Sequence, residues 1–189
     1  MKPGAEGIGS IVAHVVRALD ELGIAHMVTG SLAVSVHATP RATKDADLVV
    51  HADSFDAGRL ASVLGSGFRL ERQAMFETIT MSYRHVIEHV ESGFLIELFA
   101  LTDDPHDVAR FGRRLGLSVF GVSTAVATAE DVVITKLRWS RIAARGKDLD
   151  DARNVLAVQS GSLDLGYVRR WCREHGTEGL LDGLLAELP

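Results

Sequence analysis

The stretch Thr29–Val50, TGSLAVSVHATPRATKDADLVV, decides how this chain is read. Asp45 and Asp47 stand two apart at the head of a run that closes on Leu48-Val49-Val50, a composition suited to a strand. Alternate residues on a strand share a face, so the two carboxylates project together while Ala46 and Leu48 turn into a core. Two like charges that close repel, and a sequence keeps them beside an apolar run chiefly when a cation sits between them. Carboxylate oxygens favour hard ions such as Mg2+ or Mn2+, and a magnesium ion held by only a few carboxylates takes substrate phosphates as further ligands. The plainer alternative is a solvated strand end balanced by Lys44.

Working back along the stretch, Gly30-Ser31 lies between a short extended run, His26 to Thr29, and a helical segment, LAVSVHA, that stops before Thr39-Pro40. Glycine lets backbone approach a phosphate closely, and the N–H groups of a helix start attract anions. Gly30 and Ser31 are therefore candidate nucleotide-phosphate contacts, although Gly-Ser alone marks only a turn. Arg41 and Lys44 flank the carboxylate strand and are candidates for the same role, with charge balance of the acidic pair as the duller explanation. Working forward, Glu97 is the one ionisable residue in FLIELFA, Phe94 to Ala100. A buried carboxylate without a partner is costly, so Glu97 calls for a metal ion, a cation across a hairpin, or a raised pKa.

The remaining pattern places these groups in an α/β (α+β) fold. Ile8, Ile11, Val12, Val15, Val16, Leu19 and Leu22 recur at helical spacing and stop at Gly23. Ser54 to Leu64 reads as a helix and Gly67 to Arg72 as a strand. Tyr83 to Val90 and Phe94 to Leu101 read as the arms of a hairpin about Glu91-Ser92-Gly93. Pro105 to Arg114 is helical, LSVFGVSTAV gives short extended pieces, and Thr128 with Asp131 forms a capping-box start for a helix to about Arg145. Helical sequence then runs almost to the end, with breaks near Gly161 and Gly176. The expected organisation is a mixed β-sheet flanked by helices over residues 1–122 and a helical subdomain, residues 123–189, packed upon it.

Bulk properties narrow the function. The chain has 189 residues, 47% of them apolar, enough for one sizeable core. A net charge of -5 argues against a broad basic surface for nucleic acid, leaving room only for a local basic groove. The single cysteine, Cys172, cannot close an intrachain disulfide, and no segment has the length and apolarity of a membrane span, so a cytoplasmic protein with no membrane partner is expected. His85 and His89 face one way on a strand, which is not the helical His-Glu-x-x-His arrangement of zinc hydrolases. No Walker-type loop or dinucleotide-binding glycine pattern is present.

The Gly-Ser pair, a spacer of 13 residues from Ser31 to Asp45, and Asp-x-Asp on a strand together resemble the signature of DNA polymerase β-like nucleotidyltransferases. The later string EDVVITKLRWSRIAARGKDLDDARNVL resembles the C-terminal blocks of AbiEii-type toxins and related nucleotidyltransferases, with Lys136-Leu137 on a helix followed by Arg145, Lys147, Asp148 and Asp151. The resemblance covers roughly residues 26–156 and implies transfer of a nucleoside monophosphate from a nucleoside triphosphate to an acceptor. It implies Asp45, Asp47 and Glu97 as ligands of Mg2+, with Mn2+ as a substitute, and Glu97 also as a proton acceptor. Lys136 would face the triphosphate, and Asp148 would support the site from the helical half. In one respect the chain departs from the family: the third carboxylate, usually an aspartate, is a glutamate here. Lys136 could equally be a surface lysine lying along its helix, and Asp148 and Asp151 sit where a helix dipole favours acids regardless of function.

The implied acceptor is an RNA end such as tRNA or a protein hydroxyl, with a cognate antitoxin as partner, and the arginines of Arg110 to Arg114 and Arg138 to Arg145 lean toward RNA. An aminoglycoside-type small molecule is the second enzymatic possibility. A fold relative that binds but no longer catalyses is the third.

Overall fold

The structure is a computed structural model describing residues 7–51 and 55–188. Its first helix, α1 (Ile8–Glu21), buries the apolar stripe read from the sequence and ends where Gly23 takes a φ of +67°, which lets the Ile24 N–H reach back to the Leu19 carbonyl. β1 (His26–Thr29) runs straight into α2 (Gly30–His37), and the chain returns through residues 38–44 to β2 (Asp45–Val50). α3 (Ala57–Leu64) follows, so the helix expected from Ser54 begins later among the described residues, Ser54 itself lying outside them. Next come β3 (Phe68–Leu70), β4 (Met75–Glu77), β5 (Ser82–His89), β6 (Leu95–Ala100), α4 (Pro105–Arg113), β7 (Leu115–Val119) and β8 (Val122–Val126). Four helices complete the chain: α5 (Ala129–Ala143), α6 (Gly146–Val158), α7 (Leu165–Glu174) and α8 (Glu178–Ala186).

The strands form one mixed sheet in the order β3-β5-β6-β2-β1-β8-β7, with β4 paired to the outer part of β5. β2 is central, antiparallel to β1 and parallel to β6. One face of this centre carries Ala46, Leu48, Ile87, Ile96 and Leu98, all fully buried, and each large aliphatic side chain removed from water there contributes about 2 kcal/mol. The alternate residues, Asp45, Asp47 and Glu97, necessarily occupy the other face. The apolar alternation is what fixes this register, since a slip of one residue would bury the carboxylates and expose the core set.

α5 begins as the capping box predicts: Thr128 Oγ1 accepts from the Asp131 N–H at 3.1 Å and donates to the Asp131 carboxylate at 2.6 Å. It ends where Ala144 adopts a left-handed φ of +51°, and α6 starts two residues later. α5 packs on α6 and α7 and also on α2, so the C-terminal helices lean on the helix that follows Gly30-Ser31. β8 spans residue 122 and pairs with both β1 and β7, so the sheet continues past the boundary drawn from the sequence, and the helical part starts at Ala129. Cys172 is buried beside Trp171 in α7, as packing.

Candidate active site

The carboxylates meet because two parallel strands are in register. Asp47 on β2 pairs with Glu97 on β6, Asp45 pairs with Leu95, and Thr29, the last residue of β1, lies opposite Asp47 from the other side. Thr43 donates its hydroxyl to Asp45 Oδ1 at 3.0 Å and so fixes that side chain at the strand's start. Gly30 has a φ of +61°, and a Cβ added to it would lie 1.9 Å from Asp47 Oδ2; only glycine permits both the left-handed backbone and the carboxylate at this place. Burial first, then the charges of Asp45 and Glu97, push the Asp47 pKa up to about 7, while Lys136 and Lys147 pull it down.

A cleft of about 560 Å³, open to solvent at its mouth, lies over these groups. Asp45, Asp47, Glu97, Ser31, Lys136 and Asp148 line it, so six of the residues proposed from sequence come together from five different elements. Lys136 is not a surface lysine: its side chain is 4% exposed, with the ammonium 2.9 Å from Asp148 Oδ1 and 2.8 Å from Asp151 Oδ2. Asp151 in turn accepts two hydrogen bonds from Arg41, at 2.7 and 2.8 Å, and Arg41 donates a third to Ser31 Oγ at 2.8 Å. Burial opposes ionisation of Asp151, but these bonds from Arg41 and Lys136 hold its pKa below the usual aspartate range. Arg41 therefore stands behind the cleft wall and joins Ser31 to α6, while Lys44 is exposed and is not among the lining residues.

Asp148 is buried, yet its Oδ2 accepts no hydrogen bond among the described residues; Arg145 Nε lies 3.9 Å from it. A buried acceptor left open at a cleft wall is a place for a ligand's donor or cation. Glu97 takes the hairpin alternative in this structure: Arg84 of β5 donates to its Oε1 at 2.5 Å. Among the described residues no three His, Cys, Asp or Glu side chains are gathered as a ready metal cage. The donor set nevertheless suits a hard divalent cation, because such an ion would offset both the burial and the repulsion that raise Asp47 and would draw its remaining ligands from phosphate and water.

Several lining residues were not singled out from sequence: Arg84, Glu77, Thr80, Trp139 and, with no role assigned, Arg145 and Lys147. Glu77 ends β4, a strand not foreseen, and its carboxylate accepts from the Thr80 N–H at 2.7 Å and hydroxyl at 2.9 Å. The arginines that leaned toward RNA are largely engaged within the fold. Arg110 pairs with Asp107, Arg113 with Glu130 and Asp131, Arg138 with Asp104, and Arg141 donates to the His175 carbonyl. His85 and His89 make other contacts: His85 with Phe55 and the Glu71 carbonyl, His89 with Ser92 and Phe68.

No family model matches the chain, and no curated protein matches it in sequence. Solved structures do resemble it. The antibiotic-resistance factor ANT(2'')-Ia, in complex with adenylyl-2''-tobramycin, superposes with a TM-score of 0.61 at 14% identity, over 90% of this chain and 98% of its own. An antigenic nucleotidyltransferase-like protein from Paracoccidioides brasiliensis gives 0.55 at 19% identity, over 95% and 93%. A Helicobacter pylori protein of nucleotidyltransferase type gives 0.56 at 16% identity, over 94% and 80%. The chain has the nucleotidyltransferase fold. Among the described residues no helix is long and apolar enough to cross a membrane.

Proposed function

We propose that this chain is a magnesium-dependent nucleotidyltransferase that moves a nucleoside monophosphate from a nucleoside triphosphate to an acceptor hydroxyl, with pyrophosphate leaving. One observation carries the reading: the Asp47–Glu97 register pair lies beside Asp45 and directly over Gly30, at the start of α2. Asp45, Asp47 and Glu97 are the residues to hold Mg2+ or Mn2+. When bound, such an ion neutralises triphosphate charge and favours in-line displacement at phosphorus.

The chain's own groups supply the rest. The backbone N–H groups that open α2 present partial positive charge to phosphate oxygens. Ser31 accepts its hydrogen bond from Arg41, which leaves its own hydroxyl proton for a phosphate. Lys136, clamped between Asp148 and Asp151, is a fixed positive charge in the wall and does not need to be ordered when substrate arrives. Glu97, which lines the cleft, takes the proton of the attacking hydroxyl.

For the acceptor, the internal engagement of the arginines and the lining carboxylates Glu77, Glu97 and Asp148 support a neutral or cationic small molecule over a polyanion. ANT(2'')-Ia, bound to an adenylylated tobramycin, has the same fold and lends that reading an example. An RNA end or a protein hydroxyl, with a cognate antitoxin, is the second reading, carried by the Lys136-Leu137 and Arg145 to Asp151 blocks. The test is incubation with each α-labelled nucleoside triphosphate, Mg2+, and either hydroxylated amines such as tobramycin, total tRNA or a protein mixture. Label on any acceptor with wild type but not with Asp45→Ala plus Asp47→Ala supports the transferase, and the labelled fraction names the acceptor. Failure of the wild type to bind any nucleoside triphosphate with Mg2+ sinks the reading and leaves a fold relative without the activity.

A further inference from the structure

Among the described residues, Arg84 is the one cation of the outer strands bonded to a cleft carboxylate, and the sheet register sets its place. On β6, Glu97 lies opposite Val86, two residues along from Arg84; on β4, Glu77 lies opposite Ser82, two residues the other way. Arg84 thus stands between two diagonal glutamates on the same face, one on each neighbouring strand. Its guanidinium bonds Glu97, with the arginine side chain 28% exposed and the glutamate 16%. Glu77 is held in position by Thr80, and although burial opposes its ionisation, the N–H groups of Thr80 and Ile79, the Thr80 hydroxyl and the charge of Arg84 keep it below the usual glutamate range.

We propose that Arg84 is an internal counter-ion that occupies the third carboxylate, Glu97, and yields it to an arriving divalent cation, with Glu77 retaining the released guanidinium at the cleft wall. The inference rests on the metal-dependent reading above. Its physical basis is the length of glutamate. An aspartate at position 97 would end one methylene nearer its own strand, whereas Glu97 reaches the diagonal arginine of β5. Without a cation, three carboxylates on one sheet face repel one another, and Arg84 offsets that repulsion. With a cation the same positive charge competes for Glu97, so Arg84 sets the affinity at which the site fills. Glu77 makes the exchange inexpensive, because the guanidinium moves from one diagonal acid toward another and is never left unpaired in the wall.

The experiment is titration of the full chain with Mn2+ alone, read by the loss of free-ion signal in electron paramagnetic resonance, for wild type, Arg84→Gln, Glu97→Gln, the double variant and Lys147→Gln. Arg84→Gln is expected to tighten Mn2+ binding about tenfold, because a neighbouring positive charge is removed and Glu97 is released. In the Glu97→Gln background the same change is expected to do less than about twofold, and Lys147→Gln, a through-space charge only, is expected to fall between. Equal tightening by Arg84→Gln in both backgrounds, or weakening in either, overturns the proposal. Should Arg84→Gln lose its circular-dichroism signature of folding, Arg84→Lys serves in its place: it keeps the charge with a single head group, and tightening of about threefold that vanishes with Glu97→Gln is the expected result, no change the overturning one. Wild type that binds no Mn2+ removes the metal-dependent reading together with this proposal. Binding abolished by Asp47→Asn but indifferent to Arg84 removes this proposal alone.

Discussion

Gly30 lies directly against Asp47: a side-chain carbon at position 30 would come 1.9 Å from Asp47 Oδ2 and 2.9 Å from its Cβ. Since the backbone there also holds a φ of +61°, Gly30→Ala carries two costs, left-handed strain and displacement of the carboxylate. The expected outcome is a loss of about 1–3 kcal/mol in urea unfolding, together with Mn2+ binding weakened by more than about tenfold. Unchanged Mn2+ affinity would mean that Asp47 is not a ligand.

The raised pKa of Asp47 has a definite sign. A carboxyl whose folded value, about 7, exceeds its unfolded value, 3.8, favours the fold most below 3.8, and that contribution is lost progressively as pH rises from 3.8 through 7. In chelator, Asp47→Asn should therefore be more stable than wild type at pH 8, by roughly 2–4 kcal/mol, with the gap narrowing below about pH 7 and closing only near about pH 4. A divalent cation must displace the same proton, so Mn2+ affinity should climb between about pH 6 and 8 and flatten above. A pH-independent affinity across that range would refute the assignment.

Lys136 donates to Asp148 at 2.9 Å, where Arg145 stays 3.9 Å away, and shares Asp151 with Arg41. Replacing it with methionine leaves two buried carboxylates short of a partner, and the loss expected is about 3–5 kcal/mol. Adding Asp148→Asn should recover part of that stability without recovering nucleotide transfer. Recovery of both would make Lys136 a purely structural residue.

How much of this could be read beforehand follows from how local each signal is. Asp45, Asp47 and Gly30-Ser31 fall within one strand–helix–strand passage, and their spacing alone places them together. Glu97 was legible as a charge stranded in an apolar strand, but not its partner: Arg84 alternates with Tyr83 and His85 in a half-exposed strand and resembles any surface arginine until the hairpin register is known. The bond from Arg41 to Asp151 spans 110 residues and leaves no local trace. β4 has only three residues, Met75, Phe76 and Glu77, two of them exposed, so no apolar alternation announces it, and with it Glu77 went unnoticed. Arg113 and Arg138 read as free basic charge because their acids, Asp131 and Asp104, lie 18 and 34 residues away.

Asp131 ties the C-terminal helices to the sheet's flank, and its acid sensitivity tests that role. It is 1% exposed and bonded by Thr128, by His106 of α4 at 3.2 Å, by Tyr167 of α7 at 2.8 Å and by Arg113 at 3.3 Å. Burial opposes its ionisation, but the bonds from His106, Thr128 and Tyr167 outweigh that and lower its pKa below 3.8. For a depressed carboxylate the stabilisation is fully present above the unfolded value and disappears as pH falls through the folded one. Asp131→Asn should thus be less stable than wild type by about 2–4 kcal/mol at pH 7, with the difference constant down to about pH 5 and shrinking below about pH 4. Urea unfolding of both proteins from pH 7 to pH 3 measures it. Because α5, in whose first turn Asp131 lies, also carries Lys136, the variant should bind nucleoside triphosphate more weakly wherever its helices loosen. A gap that widens toward acid would mean that the residue is protonated in the fold and that His106, Tyr167 and Arg113 are held by something else.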